Sequence, residues 1–145
     1  MQKKDWYDKK KGLCESSAEK TNEQKVMTVK VFNGGIMMAD KIKESELPYY
    51  AVIFSSERTD GENGYGKMAE KMVELAAKQE GFLGVESARD EQLGITVSYW
   101  QSLEAIQKWK DHAAHQIAQE RGKKEWYQTF SLRVCKVERH RFFEM

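Results

Sequence analysis

The chain has 145 residues, which is enough for one domain with a hydrophobic core but short for two. Its 24 basic and 23 acidic side chains nearly cancel, which argues against the strongly basic surface of a dedicated nucleic-acid binder or anionic-membrane binder. No apolar run approaches the roughly 20 residues that a membrane-spanning helix needs. We therefore predict a protein that binds neither nucleic acid nor membrane.

The N-terminal stretch MQKKDWYDKKKGLCESS has no apolar segment after its lysines, so it does not resemble a secretory signal. Cys14 and Cys135 are the only cysteines in the sequence. Two isolated thiols in a chain without a recognisable signal are typical of a reducing compartment. These features predict a cytoplasmic protein.

Residues 1–46 are rich in lysine and glutamate, with one brief apolar patch, VMTVKVF. Such a segment buries too little apolar surface to offset its ordering entropy, so we predict a flexible extension before a folded domain at residues 47–145. The stretch NGGIMM is what an in-frame ribosome-binding site would encode, because GGAGG followed closely by ATG gives Gly-Gly, a spacer residue and Met. One hypothesis is therefore that natural translation begins at Met37 or Met38, and an ordinary disordered tail is the alternative.

The folded part begins after Pro48, which favours an extended residue before it. The run YYAVIFSSER (Tyr49–Arg58) is rich in aromatic and β-branched residues and predicts a strand. After the turn-forming TDGENGYG, apolar residues recur at helical spacing from Tyr65 to Ala76. Gly81 is expected to end this first helix.

Two strands and a second helix follow. FLGVESARD (Phe82–Asp90) and GITVSYW (Gly94–Trp100) predict strands joined by the polar turn EQL. Ser102 is a suitable cap for the second helix, and Gly122 a plausible stop. The run FSLRVCKVER (Phe130–Arg139) predicts the last strand.

The order β-α-β-β-α-β predicts an α+β, ferredoxin-like fold: a four-stranded antiparallel sheet with two helices on one face. The first strand is apolar on both faces, because side chains alternate between Tyr49, Ala51 and Ile53 on one face and Tyr50, Val52 and Phe54 on the other. Helices can cover only one face of such a sheet. The economical cover for the other face is a second copy of the sheet, so we predict a homodimer.

The stretch YWQSLEAIQKWKDHAAHQIA combines two tryptophans with two histidines. On a helical wheel, Ile106 and Ile117 share an apolar stripe with Trp109 at its flank, and His112 and His115 fall on the far side. A pair of histidines supplies too few ligands for a metal, so no metal site is predicted. Histidines on the far side are expected to face solvent or an interface.

Trp100 closes the third strand just before the Ser102 cap. Its indole is therefore expected at the mouth of any cavity between sheet and helices, where the ring would offer a flat wall to an aromatic ligand. Ordinary core packing is the alternative. No glycine-rich loop joins a strand to a helix, so the usual nucleotide-binding site is not indicated.

The segments EGFLGVESARDE and GITVSYWQSLEAIQKWKDHAAHQIAQERG resemble the antibiotic biosynthesis monooxygenase family over about Leu47 to Arg139. The resemblance implies a dimeric α/β barrel with a substrate pocket between sheet and helices. Some members oxidise polycyclic aromatic phenols with O₂ and without metal or flavin. The strand-three tryptophan of those enzymes corresponds to Trp100, and a tyrosine found in some of them corresponds to Ile106.

Other members degrade haem, using an asparagine on the first strand and a haem-ligating histidine on the second helix. The first predicted strand here has no asparagine. The ligating histidine lies ten residues after a tryptophan, and ten residues after Trp109 stands Gln119. His115 would take that role only if the helix were locally shifted.

The resemblance thus implies a cofactor-independent monooxygenase acting on a small or aromatic molecule. The alternatives are a haem-binding or haem-degrading monooxygenase and a non-catalytic small-ligand-binding dimer. We predict His115 and His112 as proton acceptors. The residues predicted to contact substrate are Trp100, Trp109, Tyr99 and Phe54.

Overall fold

The computed structural model describes residues 29–32, 35–38, 42–143 and 145. A 3₁₀ turn at Glu44–Glu46 precedes the main domain, and a π-helical turn at Gly122–Trp126 precedes the last strand. The strands and helices are β1 (Val29–Phe32), β2 (Gly35–Met38), β3 (Tyr49–Arg58), α1 (Tyr65–Ala76), β4 (Phe82–Arg89), β5 (Leu93–Trp100), α2 (Leu103–Asp111), α3 (Ala113–Arg121) and β6 (Tyr127–Val137).

The strands form one antiparallel sheet in the order β1-β2-β4-β5-β3-β6. The four strands from β4 to β6, with the helices between them in sequence, form the predicted ferredoxin-like fold, which is confirmed. No helix in the described ranges is long and apolar enough to cross a membrane.

Strands β1 and β2 fall inside the segment predicted to be a flexible extension. The structure pairs β2 with β4, so that Ile36 lies opposite Ser87, and pairs β1 with β2. The rest of residues 1–41 lies outside the described part of the chain. The hypothesis of a translation start at Met37 or Met38 stays a prediction.

The two faces of the sheet differ in what covers them. Val52 packs with Trp100 against Ala76 of α1 and Ala105 of α2, so this face, here called the helix face, carries the core. Alternation along β3 places Ala51 on the opposite face, here called the open face. Packing of aromatic and aliphatic groups on the helix face stabilises the fold, because it removes apolar area from water.

The prediction of one continuous second helix is wrong. Ser102 caps its start as predicted, with Oγ accepting from the Ala105 amide at 3.1 Å. The chain then breaks at His112, whose φ of −61° and ψ of 129° are extended rather than helical. The His112 Nδ1 accepts a hydrogen bond from the Ala114 amide at 3.3 Å, so the imidazole caps the new helix α3.

The first helix ends earlier than predicted. Helix α1 ends at Ala76, five residues before Gly81, and Gly81 instead leads into β4 with a φ of +83°. A methyl group on Gly81 would lie 2.7 Å from the Ala105 Cβ, so glycine there permits the close approach of α2. Helix α3 ends at Arg121 with Gly122 as its C-cap, as predicted, and a π-helical turn then continues to the buried Trp126.

Candidate functional site

Trp100 lies at the centre of the helix-face core. Its side chain is 1% exposed, and its ring meets Phe82 edge-on at a centroid distance of 5.2 Å. The indole N–H donates to Ser98 Oγ at 3.0 Å. Trp100 is therefore packed and hydrogen-bonded, as the core-packing alternative predicts, and it does not lie at the mouth of a cavity.

Trp109 connects this core to the two histidines. Its ring lies 6.3 Å from that of Trp100 and stacks on the His115 imidazole at 4.5 Å with an interplanar angle of 11°. The His112 ring is 5.3 Å away on the same indole. We call Trp100, Trp109, His112 and His115 the tryptophan–histidine cluster.

The His115 ring is held in one tautomer. Its Nδ1 lies 3.0 Å from the Trp109 carbonyl oxygen, which can only accept, so Nδ1 carries the hydrogen. The Gln119 amide nitrogen is 3.3 Å from the same Nδ1 and donates instead to the Lys110 carbonyl, also at 3.3 Å. The lone pair then resides on Nε2, which has no hydrogen-bond partner among the described residues.

Burial lowers the pKa of His115 below its ordinary value of 6.5, and the neighbouring His112 lowers it further. The bond to the Trp109 carbonyl opposes this shift but does not reverse it. At neutral pH the imidazole is therefore uncharged. An uncharged ring with a fixed N–H and an available Nε2 can accept a proton or bind a metal ion.

His112 carries its hydrogen on the opposite nitrogen. Because Nδ1 accepts from the Ala114 amide, the hydrogen lies on Nε2. Both histidines are half-buried against Trp109, which corrects the expectation that they lie on the far side of the helix. Ile117, expected on the packed stripe, is exposed instead, because the break at His112 rotates α3 relative to α2.

Tyr99 lies on the open face, away from the tryptophan–histidine cluster. Its hydroxyl donates to Glu86 Oε2 at 3.0 Å, and its ring meets that of Tyr49 edge-on. Burial and the Glu86 carboxylate raise the pKa of Tyr99. The Tyr49 hydroxyl in turn lies 3.2 Å from His140 Nδ1, so these side chains form a separate polar group.

Phe54 lies on the helix face but packs against Tyr127 and Phe130, at centroid distances of 5.3 and 5.6 Å. The four residues predicted to contact substrate therefore do not line one pocket. Trp100 and Trp109 lie together, whereas Tyr99 and Phe54 lie elsewhere.

One group of side chains was missed by sequence reasoning. Arg58 and Arg89, at the ends of β3 and β4, turn toward the helix face, with the guanidinium carbons 3.8 and 5.7 Å from the centre of the Tyr65 ring. Arg89 Nη2 donates to the buried Ser56 hydroxyl. We call Ser56, Arg58, Tyr65, Arg89 and Tyr127 the arginine cluster. Side-chain alternation along β4 could have indicated this direction, because it places Arg89 on the same face as Val85 and Ser87.

The described residues contain no group of three or more histidine, cysteine or acidic side chains placed to hold a metal ion. An open depression of about 350 Å³ lies mainly on the open face, and neither His112 nor His115 lines it. Its lining residues are Ser55, Ser56, Glu57, Leu93, Thr129, Phe130 and Ser131.

The fold is shared with proteins of known structure. It superposes on SnoaB of Streptomyces nogalater, a cofactor-independent oxygenase, with a TM-score of 0.57 and 8% identity over 64% of this chain and 96% of that chain. A putative antibiotic biosynthesis monooxygenase from Nitrosomonas europaea gives a TM-score of 0.53 and 10% identity, covering 61% of this chain and 88% of that one. At such identities these likenesses show the shared fold.

The sequence comparisons identify the family. The profile of the antibiotic biosynthesis monooxygenase family matches residues 48–121, and the chain belongs to this family. The uncharacterized protein YqjZ of Bacillus subtilis is 53% identical over 109 residues, which is 74% of this chain and 96% of that protein. The resemblance found in the sequence is thus confirmed.

Proposed function

We propose that this protein is a cofactor-independent monooxygenase in which His115 Nε2 accepts a proton from a small or aromatic substrate. The observation that carries this proposal is the neutral imidazole, fixed by its Nδ1–H bond to the Trp109 carbonyl and stacked on the Trp109 ring. The shared fold with SnoaB, described as a cofactor-independent oxygenase, supports the reaction class.

The chemistry needs a substrate whose CH₂ group forms a stabilised carbanion. His115 removes one proton, and the carbanion passes one electron to O₂. The resulting radicals combine to form a C–O bond, and the peroxide anion takes a proton back from His115. The O–O bond then breaks as the second C–H proton leaves, giving a ketone and water. One O₂ is consumed for each CH₂ oxidised, so no external reductant is required.

The cluster around His115 would supply positioning and exclusion of water. Trp109 fixes the plane of the imidazole, and Trp100 supports Trp109 from the core. His112 uses Nδ1 as a helix cap, so its Nε2–H is suited to donate a hydrogen bond to a substrate oxygen. His115 is therefore the proton acceptor of the two histidines.

Oxygen uptake with a panel of anthrones and quinols tests this function. We expect uptake by the wild type without added metal or flavin, and a fall in kcat/KM of about 10²- to 10⁴-fold in His115→Gln, the usual effect of removing a general base. His140→Gln is the matched control, because His140 lies on the open face with Tyr49. Equal kcat/KM in the wild type and His115→Gln would contradict the proposal.

Haem binding is the second candidate, and the same residue favours it. A histidine whose N–H bonds to a backbone carbonyl and whose other nitrogen is available is arranged like the metal-ligating histidines of proteins. His115 Nε2 would hold the iron, and haem would supply the oxidative chemistry. Titration with haemin decides: a shift of the Soret band that His115→Ala abolishes supports haem binding, and no shift rejects it.

Binding without turnover is the outcome that would favour a small-ligand-binding protein. A substrate analogue that binds tightly, with no oxygen uptake in the presence of any panel compound, is what that alternative predicts.

We also propose that a second copy of the chain covers the open face. On this face Ala51 is buried within the single chain, Ile53 and Val97 are half-buried, and Ile95 and Cys135 are exposed. Covering apolar side chains on two sheets at once removes them from water. Sedimentation should show a dimer that Ile95→Glu dissociates, and a monomer at every concentration would exclude it.

A further inference from the structure

The arginine cluster places two positive charges on the same aromatic ring. The Arg58 guanidinium carbon lies 3.8 Å from the centre of the Tyr65 ring, and that of Arg89 lies 5.7 Å from it. Both arginines are half-buried on the helix face. A methyl group at Gly94 would overlap the Arg89 guanidinium, so the group lies flat across the neighbouring strand.

Both arginines keep a buried donor without an acceptor. Within the described ranges, the buried side-chain nitrogens that lack a hydrogen-bond partner are Arg58 Nε and Arg89 Nη1. Arg58 Nη2 does donate, to the Gly61 carbonyl at 2.8 Å, and Arg89 Nη2 donates to the Ser56 hydroxyl. These acceptors are neutral, so they satisfy hydrogen bonds without neutralising either charge. Unpaired buried donors are rare in proteins and call for a physical reason.

In the described part of the chain, no carboxylate forms an ion pair with Arg58 or Arg89. Arg121, by contrast, pairs with Glu125. Glu62 directs its carboxylate to the backbone amides at the start of α1, and Asp90 directs Oδ1 to the amides of the β4–β5 turn. Glu62 still interacts electrostatically with Arg58, and Asp90 with Arg89, because each arginine contributes to lowering the pKa of that carboxyl group. The groups that accept hydrogen bonds directly from the two guanidinium groups are neutral.

Tyr127 adds a further donor. Burial raises the pKa of its phenol, with Tyr65 adding to the rise and the two arginines opposing it. The hydroxyl therefore remains protonated at neutral pH, and a protonated phenol can donate to an anion. The cluster thus combines two guanidinium groups with a phenol and the Ser56 hydroxyl.

We propose that Arg58 and Arg89 form a subsite for an oxyanion, namely a carboxylate or phosphate group carried by a small-molecule ligand. A guanidinium fork binds either group through paired, charge-assisted hydrogen bonds. The subsite goes beyond the proposed oxygenase function and stands without it, because anion binding requires no turnover. It assigns the ligand to the class of small acids.

Arginine Nε–H signals in ¹H–¹⁵N spectra of the labelled full chain test this subsite directly. Sodium acetate and sodium phosphate are titrated separately, with ionic strength held constant by sodium chloride. We expect saturable shifts of the Arg58 and Arg89 signals with at least one of the two oxyanions. Arg121 is the internal control, because it also lies over an aromatic ring, 4.8 Å from Trp126, but is paired with Glu125. The Arg121 signal is expected to show no saturable shift on addition of either anion.

Substitution then locates the response. Arg58→Gln and Arg89→Gln should each weaken the apparent affinity about tenfold, and Arg121→Gln should leave it unchanged. Tighter binding of phosphate or of acetate identifies the preferred group. A lack of saturation with both anions, or an equal response at Arg121, overturns the subsite and leaves a purely structural cation–π arrangement. The wild-type titration decides even if a variant does not fold, and it is independent of oxygen uptake.

Discussion

The two ends of the helix face satisfy their polar groups differently. At the tryptophan end, Trp100 packs between Phe82 and Ala105, and its single N–H is bonded. At the arginine end, Arg58 and Arg89 each bury a donor without an acceptor. The first arrangement satisfies its polar group within the core, whereas the second leaves two donors unpaired, which is the observation behind the proposed oxyanion subsite.

The largest expected effect is at the tryptophan end. Trp100→Ala should lower the free energy of unfolding by about 3–5 kcal/mol, because it removes the largest fully buried side chain and leaves a cavity. Phe130→Ala, next to the arginine cluster, should lower it by under about 1.5 kcal/mol, because the Phe130 side chain is 46% exposed. Urea denaturation measures both, and equal losses would contradict the contrast between the ends.

Two glycines with similar dihedral angles give a smaller and sharper comparison. Gly81 has a φ of +83° and Gly61 a φ of +88°, so alanine is strained at both, by about 1–2 kcal/mol. Only at Gly81 does the new methyl group also overlap the Ala105 Cβ. Gly81→Ala should therefore lower the denaturation midpoint clearly more than Gly61→Ala. The reverse order would show that α2 does not approach Gly81 closely.

The smallest expected effect is the pH dependence from His115. Because its pKa in the folded protein is lowered, the unfolded chain binds more protons once the pH falls to about 6.5. The free energy of unfolding should thus fall as the pH drops from 7 through 6.5 toward the folded-state pKa. Unfolding curves of His115→Gln should show a shallower decrease over this range. An unchanged slope would mean that His115 titrates alike in both states.

The fold could be predicted from the sequence because its signals are local and repeated. Strand alternation, the turn at TDGENGYG and the Ser102 cap each agree with the structure. The break at His112 could not be predicted in this way, since a helical wheel assumes a constant rotation per residue. One extended residue there rotated Ile117 out to solvent and brought His115 onto Trp109.

The candidate site was predictable only in part. His115, Trp109 and Trp100 do lie together, but Tyr99 lies on the open face, because alternation along β5 places it opposite Trp100. Charged residues at strand ends are usually solvated, so the sequence pattern does not indicate that Arg58 and Arg89 turn inward. Their inward direction depends on Tyr65, which contacts them only after α1 folds over the sheet.

The central claim is that His115 holds an available lone pair on Nε2. Long-range ¹H–¹⁵N correlation spectra of the histidine rings at pH 7 test it most directly. The structure predicts a neutral His115 with its hydrogen on Nδ1, and the opposite tautomer, with hydrogen on Nε2, for His112. A protonated His115, or one with its hydrogen on Nε2, would contradict its role as the proton acceptor.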